Sequence, residues 1–271
     1  ALADSMGWPV VASYHTRYET YLEHYGLQLF HGSLTRRLNR FYDTCREVFA
    51  PSQSMIEVLE AEGRRNLRLW RRGVDTERFA PERRSEAWRA SLGLAPDDVA
   101  VTFVSRLVRE KRLDTLAAAF ARLRERGVAV RPLIVGDGPE RAWLQREVPD
   151  GIFTGFLDGA DLARAYASAD LFLVPSDTET FGNVTLEAMA SGLPTVCADA
   201  TGSRSLVEPG VTGELAGALD ADAMAGHIAR LAADADLRAR MGAAARARSL
   251  KFSWDEAMAG ILERYRAIAA A

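Results

Sequence analysis

Residues 171–198 read LFLVPSDTETFGNVTLEAMASGLPTVCA. Leu171-Phe172-Leu173-Val174 is short and continuously apolar, the pattern of a strand covered on both faces. Pro175 stops it. A polar loop runs on to Gly182, helical character follows from Val184 to Ser191, and Gly192-Leu193-Pro194 turns the chain into a second apolar run, Thr195–Ala198. One strand–loop–helix–turn–strand unit is therefore complete within these residues.

The same rhythm extends upstream. Apolar strands are expected at Val99–Val104, Pro132–Val135 and Ile152–Thr154, with helices at Leu113–Arg126, Glu140–Glu147 and Ala160–Ser168. Short strands that alternate with helices predict an α/β fold built on a doubly wound parallel sheet. Ligands of such sheets bind beyond the carboxyl ends of the strands, so residues just after each strand are the candidates for chemistry.

The amino-terminal part is thinner. Pro9–Ser13 reads as a strand, a Tyr-rich helical stretch follows through Tyr25, and Leu34 to Phe49 has helical spacing. Val48-Phe49-Ala50 reads as a strand stopped by Pro51, and Ser52 or Ser54 suits the cap of the next helix. Two strands are too few for a closed layer. Arg72-Gly73-Val74-Asp75 is loop-like and marks a boundary, and Pro81-Glu82 leads into another helix. The expected organisation is a partial first domain over 1–72, a complete second domain over 73–251, and a terminal helix over 252–271. Helices at Ala221–Ala232, Asp236–Leu250 and from Trp254 close the chain. It opens at Ala1 rather than methionine, inside what reads as a strand, so further residues are expected upstream.

Composition narrows the function. The 271 residues are 48% hydrophobic and 26% charged, which excludes disorder and a disulfide scaffold. Thirty-four basic against 37 acidic side chains leave a net charge of -3, without the footprint of a nucleic-acid binder. Cys45 and Cys197 are far apart and read as reduced core residues. No apolar run approaches the ~20 residues that span a bilayer, and no signal-peptide pattern is present. A cytoplasmic location is expected. Only Lys111 and Lys251 are lysines in a chain that otherwise uses arginine.

Strand by strand, the carboxyl ends carry distinct chemistry. After Val104, Arg106 and Lys111 suit a diphosphate, the arginine as a fork and the lysine as a point charge. After Val135, Gly136-Asp137-Gly138-Pro139 allows a tight turn and close approach of a ligand to the backbone. Gly155-Phe156 ends the next strand and offers backbone groups to a nucleobase edge. After Val174, the loop with Glu179 feeds a helix that starts near Gly182, whose first-turn N–H groups favour an anion. Glu187 lies one turn beyond Asn183 on the same face, and a carboxylate there can accept two hydroxyl hydrogen bonds.

Glu179 and Glu187 form the E-x7-E pattern of retaining glycosyltransferases with the GT-B fold. The stretch from Pro175 to Pro194 resembles family 4 of those enzymes. Arg106 with Lys111, Gly136-Asp137-Gly138-Pro139, Gly155-Phe156, and Gly73-Val74-Asp75 before Phe79 and Pro81 match in order and spacing over residues 8–271. Trp70-Arg71-Arg72-Gly73-Val74-Asp75 is similar to the lipid-directed mannosyl- and sulfoquinovosyl-transferase branch.

The resemblance implies a Rossmann-like donor-binding domain behind a partial amino-terminal Rossmann-like domain. It implies retaining transfer of a hexose from a nucleotide sugar, GDP-mannose or a UDP-sugar, to a lipid or saccharide acceptor. In that reading His15, after the first strand, faces the donor, and Glu179 contacts sugar hydroxyls. Thr180, Phe181, Gly182 and Asn183 meet sugar and phosphate. Glu187 holds the ribose, Arg106 and Lys111 neutralise the diphosphate, and Gly136, Gly138 and Phe156 lie toward the base. No metal and no other cofactor are implied. A homodimer or partner chain would cover the incomplete first domain, and the enzyme would lie in the cytoplasm or peripherally at the inner face of a membrane. The alternatives are a non-catalytic nucleotide-sugar-binding module, half of a split transferase, or a phosphorylase or epimerase relative. No lysine stands where a pyridoxal phosphate anchor would be needed.

Overall fold

The computed structural model describes residues 2–17 and 26–270. Three short strands, β1 (Val11–Ser13), β2 (Glu47–Ala50) and β3 (Leu67–Leu69), form a parallel sheet in the order β1-β2-β3. Six more, β4 (Ala100–Val104), β5 (Arg131–Val135), β6 (Ile152–Gly155), β7 (Leu171–Val174), β8 (Thr195–Ala198) and β9 (Gly213–Ala216), form a second sheet. Its order is β6-β5-β4-β7-β8-β9, parallel throughout. β4 and β7 are buried along their whole length, which explains why their sequences lack alternation.

The order of the larger sheet positions everything that follows. From β4 the chain winds outward through β5 and β6, then returns to place β7 against the other side of β4. The crevice beyond the carboxyl ends of β4 and β7 is thus a topological switch point, where two loops diverge and leave room for a ligand. Two cores accompany the two sheets: one joins Tyr14, Val48, Met55, Leu59 and Leu67, and a larger one begins at Val74 and Phe79. Cys45 and Cys197 are buried free thiols within them.

The structure corrects the expected element map at several points. The helix expected from Leu34 spans His31–Asp43 and stops before β2, because all four residues of Glu47–Ala50 are buried as a strand. Ser52, not Ser54, caps the helix Gln53–Ala61, its Oγ accepting from the Met55 N–H at 3.2 Å. Pro81 opens only a 3-10 turn, and the helix proper is Glu86–Ser91, capped by Ser85. Strands β3 and β9 and the helix Thr201–Leu206 were not expected. Both strands carry a charged residue, Arg68 and Glu214, that interrupts the apolar pattern at a sheet edge. Most of the Tyr-rich stretch through Tyr25 lies outside the described residues.

The last helix, Trp254–Ala269, returns to the small sheet. Trp70 Nε1 donates to the Ala257 carbonyl at 3.1 Å, and Arg264 Nε donates to Glu47 Oε2 at 3.2 Å. Three hydroxyls also cross between the two sheets' neighbourhoods. Ser52 Oγ donates to the Thr180 carbonyl (2.8 Å), Thr180 Oγ1 to the His15 carbonyl (2.7 Å), and Ser54 Oγ to the Thr201 carbonyl (2.7 Å).

Candidate active site

The loop after β4 and the loop after β7 meet at the switch point. Lys111 Nζ lies 2.6 Å from Glu179 Oε1, with each side chain only 15% exposed, although 68 residues separate them. The next residue, Arg112, takes a left-handed conformation (φ 53°), and its guanidinium grips Asp177 with Nε and Nη2 at 3.1 and 2.8 Å. A forked pair beside a single-point pair fixes one loop against the other.

A cavity of about 310 Å³ opens over this contact, lined among others by His15, Arg72, Ser105, Lys111, Glu179 and residues 180–184. Gly182 (φ 90°) lets the β7 loop turn sharply into the helix Asn183–Ala190. No side chain caps that helix, so its first-turn N–H groups are available to an anion in the cavity.

The opposite wall comes from the small sheet. Arg72 Nη2 is 3.1 Å from His15 Nδ1. A guanidinium only donates, so His15 Nδ1 accepts and the ring proton sits on Nε2. Burial, reinforced by the Arg72 charge, pushes the His15 pKa below the ordinary imidazole value. Trp70 packs its ring 5.7 Å from the imidazole. The cavity thus faces a carboxylate, an ammonium, a guanidinium, a neutral imidazole and a helix start, a set suited to a polyhydroxylated group bearing phosphates.

The structure gathers His15, Lys111, Glu179, Thr180, Phe181, Gly182 and Asn183 around this one cavity. The other expected site residues do not line this cavity. Arg106 is 71% exposed and faces Glu110 at 3.6 Å, because its long side chain leaves the loop on the solvent side. Gly136 and Gly138 leave no room for side chains, but what approaches them is the protein's own backbone at Ser105 and Leu107. Phe156 is 73% exposed. The Tyr166 hydroxyl donates to Glu187 Oε2 at 3.0 Å, and burial raises the Glu187 pKa to about 7.

Arg72, Ser105, Arg112, Asp177 and Tyr166 were not singled out for a role by sequence reasoning. A signal existed for Arg72: three residues after β3, it stands at a carboxyl end, but that strand went unread. Nothing in the sequence marks Arg112 as left-handed. Among the described residues no group of three or more His, Cys, Asp and Glu side chains comes together.

Comparison with known proteins places these features in context. The model of "Glycosyl transferases group 1" matches residues 84–248, and that of "Glycosyltransferase Family 4" matches residues 1–78. A GDP-mannose-dependent alpha-mannosyltransferase of Mycobacterium tuberculosis is 39% identical over 214 residues, 79% of this chain and 55% of that protein. The chain thus spans little more than half the length of that relative. Sucrose-phosphate synthase from Thermosynechococcus elongatus superposes with a TM-score of 0.87 at 26% identity, over 99% of this chain and 70% of its own. Anabaena HepE, solved in complex with UDP-glucose, superposes with a TM-score of 0.81 at 26% identity, over 98% and 74%.

Proposed function

The chain belongs to the group 1 glycosyltransferases, with the GT-B α/β fold, and from that premise we propose that it transfers a hexose from a nucleotide sugar with retention of anomeric configuration. The contact of Lys111 with Glu179 over the start of the helix Asn183–Ala190 carries the reading, because it sets a cation, a hydroxyl acceptor and an anion-binding helix terminus around one cavity.

The chemical burden is charge separation. The bond from the anomeric carbon to the diphosphate breaks, the acceptor oxygen attaches on the same face, and its proton passes to the departing phosphate oxygen. Lys111, Arg72 and the helix start stabilise the developing negative charge, the role of preorganised electrostatics in a poorly hydrated site. Arg106 adds to them by turning away from Glu110. Glu179 orients sugar hydroxyls, and His15 offers its Nε2–H to the donor. Glu187 holds the ribose, with Gly136, Gly138 and Phe156 toward the base. No metal takes part in this scheme.

GDP-mannose is the first donor to test, since the mycobacterial relative's name specifies it, with UDP-sugars next. The acceptor is a lipid or a saccharide. No observation favours a non-catalytic module. Among the described residues no helix is long and apolar enough to cross a membrane. Peripheral attachment to the inner membrane face is part of the proposal: Leu29 is 97% exposed, Phe30 next to it and Phe41 near the end of the helix His31–Asp43 are exposed as well, and Arg36, Arg37 and Arg40 are exposed on that helix. A homodimer or partner chain over the small sheet is a further part, read by light scattering in solution.

Donor turnover decides the central claim. Lys111→Ala and Glu179→Ala are each expected to lose about 10²-fold or more in kcat. Near-native rates in both variants contradict the proposal. NMR of the product's anomeric proton tests retention, and turnover in excess chelator tests independence from metal.

A further inference from the structure

Glu179 needs more than a partner for its carboxylate. Lys111 holds Oε1, but in the reaction above Lys111 serves the diphosphate and the carboxylate serves sugar hydroxyls, so that ion pair loosens as the donor binds. What persists through turnover is the grip on the main chain of residue 179.

That grip comes from the segment after β8. Thr201 opens the helix Thr201–Leu206, and its Oγ1 donates to the Glu179 carbonyl at 2.9 Å. The Gly202 N–H donates to the same oxygen at 2.8 Å. A first-turn N–H has no partner inside its own helix, and here the loop supplies one. Both lone pairs of the carbonyl are thereby occupied. The close approach requires glycine at 202, since a Cβ there would lie 2.5 Å from the Phe181 carbonyl carbon.

The following peptide is held too, because the Thr180 carbonyl accepts from Ser52. The main chain is thus fixed on the carboxyl side of Glu179 by bonds that no substrate displaces. Thr201 is braced in turn. Its own carbonyl accepts from Ser54 Oγ at 2.7 Å, and Ser54 Oγ lies 2.6 Å from Ser205 Oγ. Thr201 therefore joins the helix Gln53–Ala61, beside the small sheet, to the loop that carries Glu179.

We propose that Thr201 is a positioning residue for sugar transfer, its hydroxyl aiming Glu179 at the donor; this rests on the donor reading of the first cavity. Thr201 does not itself line that cavity, so it acts through Glu179. Its removal leaves the Gly202 bond in place, and the effect is smaller than deletion of the carboxylate.

The test is a double-mutant cycle on nucleotide release from GDP-mannose and from UDP-glucose, using whichever turns over. Thr201→Val, which keeps the shape and deletes the donor, is expected to lower kcat about 5- to 10-fold. Donor KM is expected to change less than about twofold. Thr201→Ser should recover most of the rate. In a Glu179→Ala background, Thr201→Val should cause no further loss, because the group it positions is gone. Hydrogen exchange in Thr201→Val should rise over residues 177–183 and stay at the wild-type level in the cores. Loss by the same factor in both backgrounds, no rescue by serine, or unchanged loop exchange overturns the proposal. A slow Glu179→Ala beside a Thr201→Val at the wild-type rate overturns it alone and leaves the donor reading standing. Wild type idle on both donors, or Glu179→Ala as fast as wild type, overturns the donor reading and this inference with it.

Discussion

Glu187 shows how burial and function pull on one residue. Its carboxyl group is pushed up to about 7 by burial, although the Tyr166 hydroxyl and the Arg78 charge pull the other way. In the unfolded chain the same group titrates near its ordinary value of 4.5. Between those two values the folded protein keeps a proton that the unfolded chain has lost. This contribution to stability is therefore fully present below about 4.5 and is lost as pH rises through about 7. The total is about 3 kcal/mol. Glu187→Gln, neutral at every pH, should remove that slope, so the difference in urea stability between wild type and variant should change between pH 5 and pH 8. Parallel pH profiles for the two proteins would show that Glu187 titrates normally. If the carboxylate form holds the ribose, nucleotide affinity in wild type should also improve as pH passes 7, and the variant should show no such gain.

At the scale of the element, the helix Asn183–Ala190 owes its entry angle to Gly182. An alanine there meets Thr185 Oγ1 at 3.3 Å and must hold φ near 90°, a region costly for any residue with a Cβ. Gly182→Ala should cost about 1–2 kcal/mol. On a chain of this size that lowers Tm by roughly 2–4 °C per kcal/mol. It should also weaken nucleotide binding more than Asn183→Ala, because the whole first turn shifts. A Gly182→Ala protein with unchanged Tm and affinity would remove the helix start from the account. The sequence already exposed this helix and both strands beside it, since each strand is a short, largely apolar run and Pro175, Gly182, Gly192 and Pro194 mark the boundaries. Lys111 and Glu179 were legible for a related reason: each follows a fully buried strand. Arg72 was not, because Leu67-Arg68-Leu69 is too short and too charged to announce a strand. Nor was the Tyr166–Glu187 bond, which joins two helices through packing that no local pattern records.

On the scale of the whole molecule, the reaction depends on a seam. The two sheets grip each other beside the cavity through side-chain hydroxyls donated to main-chain carbonyls, and Thr180 takes part in two of these bonds. Its Oγ1 donates to the His15 carbonyl and its own carbonyl accepts from Ser52. Removing the hydroxyl should therefore leave both cores intact but free His15 and Glu179 to drift relative to one another. Geometry of that kind governs rate more than affinity, since a misplacement of about 1 Å can cost 10²-fold in turnover. Thr180→Val, which keeps the shape and deletes the donor, is expected to lower kcat about tenfold or more while donor KM changes little. Thr180→Ser restores the hydroxyl and should recover most of the rate. A merely structural role would instead lower Tm without separating kcat from KM, and would not be rescued selectively by serine. If Thr180→Val turns over donor at the wild-type rate, the two sheets are held in register by other contacts, and the wall that carries His15 does not need the wall that carries Glu179 to be fixed by this bond.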